Sequence, residues 1–91
     1  MMSATDVSPT DVILYTTDNC GLCVAAKRLL ERRGIAYRQV NLGRDPEERA
    51  ELVRRTGLMT FPQVVVGDQT LGGFQELNAL DRQGALGQLA A

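Results

Sequence analysis

The sequence predicts an α/β fold, a four-stranded mixed sheet flanked by helices in the order β-α-β-α-β-β-α. Three observations carry this prediction. Short apolar runs rich in β-formers alternate with segments whose apolar residues recur at helical spacing. The first two runs are joined through a helix, which makes their strands parallel. The last two are joined only by a Gly-Asp turn, which makes theirs antiparallel. A chain of 91 residues holds one such unit and no second.

Val12-Ile13-Leu14-Tyr15 is a continuous apolar run, the mark of a strand buried on both faces and therefore central. From Gly21 to about Arg33, Leu22, Ala25, Ala26, Leu29 and Leu30 recur at helical spacing. Lys27, Arg28 and Arg32 take the other face, and Gly34 stops the helix. Ala36 to Leu42, with Tyr37 and Val40, reads as the second strand. Asp45-Pro46-Glu47-Glu48 has the form of a helix start, with Asp45 as N-cap, Pro46 at the first helical position and Glu48 placed to reach back as in a capping box. This second helix runs to Arg55 or Thr56 and stops at Gly57. Gln63-Val64-Val65-Val66 and Gln69-Thr70-Leu71 flank the Gly67-Asp68 turn as a hairpin. Gly72-Gly73 breaks the chain before a third helix, about Phe74 to Asp81, and Ala85 to Leu89 is expected to add a short terminal helix. Met1 to Asp11 are polar and lack a hydrophobic period, so they are expected to form a flexible tail ahead of a domain spanning residues 12–91.

Composition excludes several function classes. Hydrophobic residues make up 44% of the chain and charged residues 23%, which is ordinary for a folded globular protein. Ten Lys plus Arg against eleven Asp plus Glu leave a net charge of −1, so no basic field attracts nucleic acid. Apolar stretches such as Val64-Val65-Val66 are far too short to span a bilayer. The N-terminal stretch has neither the basic nor the apolar region of a secretory signal, so a cytoplasmic location is expected. There is no histidine, which removes Ser/His/Asp triads, Cys/His proteases and imidazole metal sites. No feature demands a dimer, so a monomer is expected.

The remaining chemistry is that of sulfur. Cys20 and Cys23, the only cysteines, lie directly after the first strand and at the start of the first helix. Free backbone N–H groups and the positive end of the helix dipole favour a thiolate there, which makes Cys20 the nucleophile and Cys23 the resolving thiol. A bridge three residues apart closes too small a loop to serve as a staple. Half a zinc site and two inert core residues are the competing readings of a bare CxxC. Zinc in a monomer would lack two of its four ligands.

Thr60-Phe61-Pro62 precedes the third strand, where a proline sits at a strand start because it donates no ladder hydrogen bond. A cis Phe61-Pro62 bond would leave the Phe61 backbone free to pair with an extended substrate. With cis found in only about 5–6% of X-Pro bonds, residue physics alone favours trans. Gly72-Gly73 before a helix is either a plain turn or a place where free N–H groups receive a carboxylate. The arginines, Arg49 among them, read first as solvated surface.

In combination these segments resemble the glutaredoxin family from about Val12 to Leu89. Tyr15-Thr16-Thr17-Asp18-Asn19-Cys20-Gly21-Leu22-Cys23 is similar to the family's Y-[ST]-K-x-x-C-P-Y-C. Thr60-Phe61-Pro62-Gln63 is similar to T-V-P-Q, and Gly72-Gly73-Phe74-Gln75-Glu76-Leu77 to G-G-x-D-[DE]-L. The resemblance implies a thioredoxin-like fold, a cis Pro62, and glutathione-dependent reduction of protein disulfides and glutathione mixed disulfides. Glutathione would be a co-substrate, with no tightly bound cofactor. Its implied site includes Thr17, Leu22, Thr60, Phe61, Pro62 and Gly73. Within that site Phe74 and Gln75 would receive the γ-glutamyl carboxylate, and Arg49 the glycine carboxylate. Thr17 stands in place of the family's usual lysine, Gln75 in place of an aspartate, and Gly21-Leu22 in place of Pro-Tyr. The lost proline admits a different reading, a [2Fe-2S] carrier in which two protomers each give one cysteine, Cys20, and one glutathione. The altered Thr17 and Gln75 admit a third, a redoxin reduced by thioredoxin reductase or another low-molecular-weight thiol.

Overall fold

The structure, a computed structural model, describes residues 11–87. Its elements are β1 (Val12–Thr16), α1 (Gly21–Arg32), β2 (Arg38–Asn41), α2 (Pro46–Thr56), β3 (Gln63–Val66), β4 (Gln69–Gly72) and α3 (Phe74–Arg82). The strands form one sheet in the order β2-β1-β3-β4. β1 is parallel to β2 and antiparallel to β3, and β3 is antiparallel to β4. Central β1 is thus hydrogen-bonded on both edges, as its unbroken apolar run predicts.

Alternation along the strands divides the molecule into two faces. Val12 and Leu14 of β1 and Val64 of β3 point to one face. There they pack with Ala26, Leu29 and Leu30 of α1 and Leu77 of α3. Tyr15, Gln63 and Val65 have the opposite parity and face α2, whose one buried residue is Leu52. An open groove of about 350 Å³ lies on this second side, floored by Val40, Leu42 and Leu52. Neither cysteine lines it.

Several boundaries differ from the sequence reading. β2 begins at Arg38, not Ala36, because Ile35 is first drawn into the core and its N–H donates to the Leu30 carbonyl at 2.9 Å. The chain reaches the edge of β1 only where Arg38 pairs with Ile13. At α2, Asp45 accepts from the N–H groups of Glu47 and Glu48 at 3.0 and 3.1 Å, and Gly57 closes the helix at φ 77°. The reciprocal half of the expected capping box does not form, because the Asp45 N–H donates to the Leu42 carbonyl instead. Of the expected terminal helix, the described part is a 3₁₀ turn at 86–87 that buries Leu86. Residues 88–89, and residues 1–10 of the expected tail, lie outside the described residues.

Candidate active site

β1 ends on the sheet and α1 begins one tight turn later. Asn19 makes that turn in the left-handed region at φ 53°, a conformation that asparagine accepts more readily than most residues. Cys20 follows with extended backbone and takes the N-cap position of α1. Its Sγ accepts the Cys23 N–H at 3.1 Å, where a Ser or Asp oxygen ordinarily sits. The first turn of α1 holds no acidic residue, so no carboxylate within the helix start takes up its positive end.

Cys20 and Cys23 form a disulfide with their Cα atoms 5.2 Å apart. The two sulfurs are unequal. Cys23 is buried at 3% exposure, whereas Cys20 is half-buried at the rim. An incoming thiol therefore meets the Cys20 sulfur, and Cys23 is reached only through it. Leu22, between them, is 54% exposed beside the reactive pair.

A second segment comes against this helix start from across the sheet. The Phe61-Pro62 peptide bond is cis, against the frequency-based expectation and in line with the resemblance. The Phe61 carbonyl oxygen lies 3.9 Å from Cys20 Sγ. Arg49 places its guanidinium carbon 4.9 Å from the centre of the Phe61 ring and donates from Nη1 to the Gly43 carbonyl at 3.1 Å. The same carbonyl accepts from the Thr17 hydroxyl at 2.8 Å. One backbone oxygen thus ties the loop before Cys20 to the arginine that covers Phe61.

The third segment is the start of α3. Gly73 is its N-cap, with no side chain to occupy the first free N–H groups of the helix. The Gly73 N–H itself is not free, because it donates to Glu76 Oε1 at 2.7 Å. Gly72 sits at φ 131°, a conformation that favours glycine, and a Cβ there would displace the Glu76 side chain, which it would meet at 2.7 to 2.9 Å. A Cβ on Gly73 would approach the Pro62 carbonyl at 3.3 Å, which brings the α3 start beside the cis peptide. Cys20 and Thr17 at the start of α1, Arg49 of α2, Phe61 and Pro62 before β3, and Gly73 at the start of α3 thus belong to four connected segments. Thr60 is exposed ahead of the cis bond, and Phe74 and Gln75 lead from Gly73 into α3.

Two residues that the sequence reading left without a structural role also shape the site. Glu76 entered only as a letter of a motif, although its spacing from Gly73 carries the capping signal. Gln63 opens β3, and neither strand alternation nor its place after Pro62 indicates the loop that its side chain holds. Among the described residues, no group of three or more His, Cys, Asp or Glu comes together to hold a metal, and no helix is long and apolar enough to cross a membrane.

Comparison with known proteins agrees with this geometry. The family profile of Glutaredoxin matches residues 12–71. The glutaredoxin of Pseudomonas aeruginosa is 42% identical over 78 residues, 86% of this chain and 93% of that protein. The solution structure of glutaredoxin from Brucella melitensis superposes with a TM-score of 0.77 at 41% identity, covering 88% of this chain and 87% of that one. The crystal structure of a buckwheat glutaredoxin-glutathione complex superposes with a TM-score of 0.75 at 27% identity, covering 87% and 74%.

Proposed function

The chain belongs to the glutaredoxin family, has its thioredoxin-like fold and is a thiol-disulfide oxidoreductase; from that premise we propose that it reduces glutathione mixed disulfides and protein disulfides with glutathione as its co-substrate. The observation that carries the reading is the inequality of the two sulfurs. Cys20 is half-buried at the rim of a helix start and Cys23 is buried behind it.

In the reduced enzyme the Cys20 thiolate attacks the sulfur of glutathione in a mixed disulfide. A bond forms between Cys20 and glutathione, and the former partner leaves as a thiolate that takes a proton. A second glutathione then attacks the glutathione sulfur, which releases oxidised glutathione and restores Cys20. With a protein disulfide, Cys20 attacks one sulfur of the client and Cys23 attacks Cys20. That step leaves the Cys20–Cys23 disulfide and a client dithiol, and two glutathione molecules return the two electrons. No tightly bound cofactor enters these steps.

The buckwheat relative's complex with glutathione supports a glutathione site on the corresponding surface of this chain. In this reading the Phe61 backbone pairs with the cysteinyl unit, beside Cys20 Sγ. The N–H groups of Phe74 and Gln75, at an α3 start that no side chain caps, receive the γ-glutamyl carboxylate. Arg49, held over Phe61, meets the glycine carboxylate, and Thr17, Leu22, Thr60, Pro62 and Gly73 line the rest. Such a reductase works in a compartment that keeps thiols reduced, which supports a cytoplasmic site of action.

The test is a glutathione-coupled assay on a small mixed disulfide with wild type, Cys20→Ser and Cys23→Ser. Activity lost with Cys20→Ser and kept with Cys23→Ser is the expected result. An inactive wild type would withdraw the glutathione site in favour of another reductant or a cluster-carrying role.

A further inference from the structure

Gln63 is fully buried at 0% exposure, yet no ladder or core contact calls for an amide there. Its Nε2 donates to the carbonyls of Leu58 at 2.9 Å and Thr60 at 3.0 Å. Its Oε1 lies 2.8 Å from the hydroxyl of Thr56, the last residue of α2. That hydroxyl also accepts the Leu58 N–H at 3.2 Å. Two carbonyl acceptors on one side of the amide and a hydroxyl on the other fix its orientation, because a flipped amide would set oxygen against both carbonyls. The Thr56 proton then points to Oε1, although the Leu52 carbonyl lies within reach at 3.0 Å. One side chain rooted in β3 thereby holds both ends of the loop at 57–60, the loop that delivers Phe61 to Cys20. Among the described residues no buried side-chain polar atom lacks a partner, so this network is complete.

We infer that Gln63 is a positioning residue for the thiol reaction. By holding the Leu58 and Thr60 carbonyls it sets the Phe61 backbone at the distance from Cys20 at which a disulfide substrate is aligned for attack. Gln63 touches neither sulfur, and it acts through the loop. The inference rests on the proposed pairing of substrate with the Phe61 edge, but not on the substrate being glutathione.

The test compares two reactions at the same sulfur. Iodoacetamide alkylates Cys20 without any edge to align it, whereas a short peptide dimerised through a single cysteine needs one. Reduced wild type and Gln63→Met are each mixed with either reagent, quenched in acid and counted by mass. Removing both donors from the loop carbonyls is expected to slow oxidation by the peptide disulfide about fivefold, the loss of roughly one buried hydrogen bond's net worth, while alkylation stays within about twofold. Equal rates with the peptide disulfide in both proteins, or a parallel fall in both reactions, would overturn the inference. Should Gln63→Met fail to fold, Thr56→Val carries the test: it keeps both Gln63 donors but removes the hydroxyl that fixes the amide oxygen and accepts the Leu58 N–H. A smaller slowing confined to the peptide disulfide is then expected, and equal peptide rates or a parallel fall in alkylation would again overturn the inference. A wild type that reacts with the peptide disulfide but not with a glutathione mixed disulfide would retire the glutathione reading and leave Gln63 to be judged on the peptide alone.

Discussion

The starts of α2 and α1 face the same physical problem, a first turn of N–H groups without helical partners, and resolve it differently. At α2, Asp45 accepts from two of them, Pro46 fits the first position, and Glu47 and Glu48 complement the dipole. At α1, a cysteine sulfur accepts one N–H, a glycine takes the first position, and no acid follows. The first arrangement favours helix stability. The second sets sulfur where an oxygen cap ordinarily sits, and this helix start, poorly capped by oxygen, carries the redox-active pair.

The sharpest way to break this contrast is to exchange the cap atoms. Cys20→Ser offers α1 an oxygen cap and is expected to leave the fold intact while turnover falls to background. Asp45→Ala is expected to cost about 1 kcal/mol of stability in denaturant titration with turnover per folded molecule unchanged. Loss of turnover with Asp45→Ala would show that the two helix starts are not separable.

Gly21 gives a smaller handle. Its φ is not positive, and a Cβ there meets nothing within 4 Å. Gly21→Ala is therefore expected to raise stability by about 0.4–1 kcal/mol by restricting the unfolded chain, without slowing turnover. Leu22→Glu makes α1 resemble α2 by adding an acid to its first turn. It should favour the helix by about 0.3–1 kcal/mol and at the same time raise the Cys20 thiol pKa, slowing alkylation at neutral pH by a few fold. An unchanged alkylation rate would mean that the dipole is not what acts on the sulfur.

The smallest effects belong to the opposite end of α1. There Arg33 donates to Asp81 on α3, and this hydrogen bond holds the Asp81 carboxyl below its usual range. The folded pKa is depressed, so the pair's contribution is present above the unfolded aspartate pKa and is lost as pH falls through the folded value. Burial, with a hydrogen bond to Glu31, pushes the Tyr37 phenol up to about 12. Its contribution is present below the unfolded value of 10.0 and is lost as pH rises from there toward about 12. Melting curves at acid and alkaline pH should show both losses, and Asp81→Asn and Tyr37→Phe should abolish them one at a time.

The sequence made the α2 start, the hairpin and the thiol-bearing helix legible because each is a local pattern: Asp-Pro-Glu-Glu, Val-Gly-Asp-Gln, and two cysteines between a strand and a helical period. What it concealed depends on which partner each group finds once the chain has folded. The Asp45 N–H was expected to serve a capping box, but the Leu42 carbonyl had already taken it. The cis Phe61-Pro62 bond ran against residue frequencies and was implied only by resemblance. The stacking of Arg49 on Phe61 joins α2 to the loop before β3, and Gln63 reaches back three and five residues to the Thr60 and Leu58 carbonyls, so neither follows a helical or strand period that a linear reading detects.

The most direct test of the account is the pH dependence of Cys20 alkylation by iodoacetamide in reduced Cys23→Ser, where Cys20 is the single thiol and the residue 23 N–H is retained. A helix start arranged for sulfur predicts a midpoint well below the value of about 8.5 for a free cysteine. A midpoint at or above about 8.5 would contradict it, since the N–H groups that α1 leaves uncapped would then be doing nothing for the thiolate.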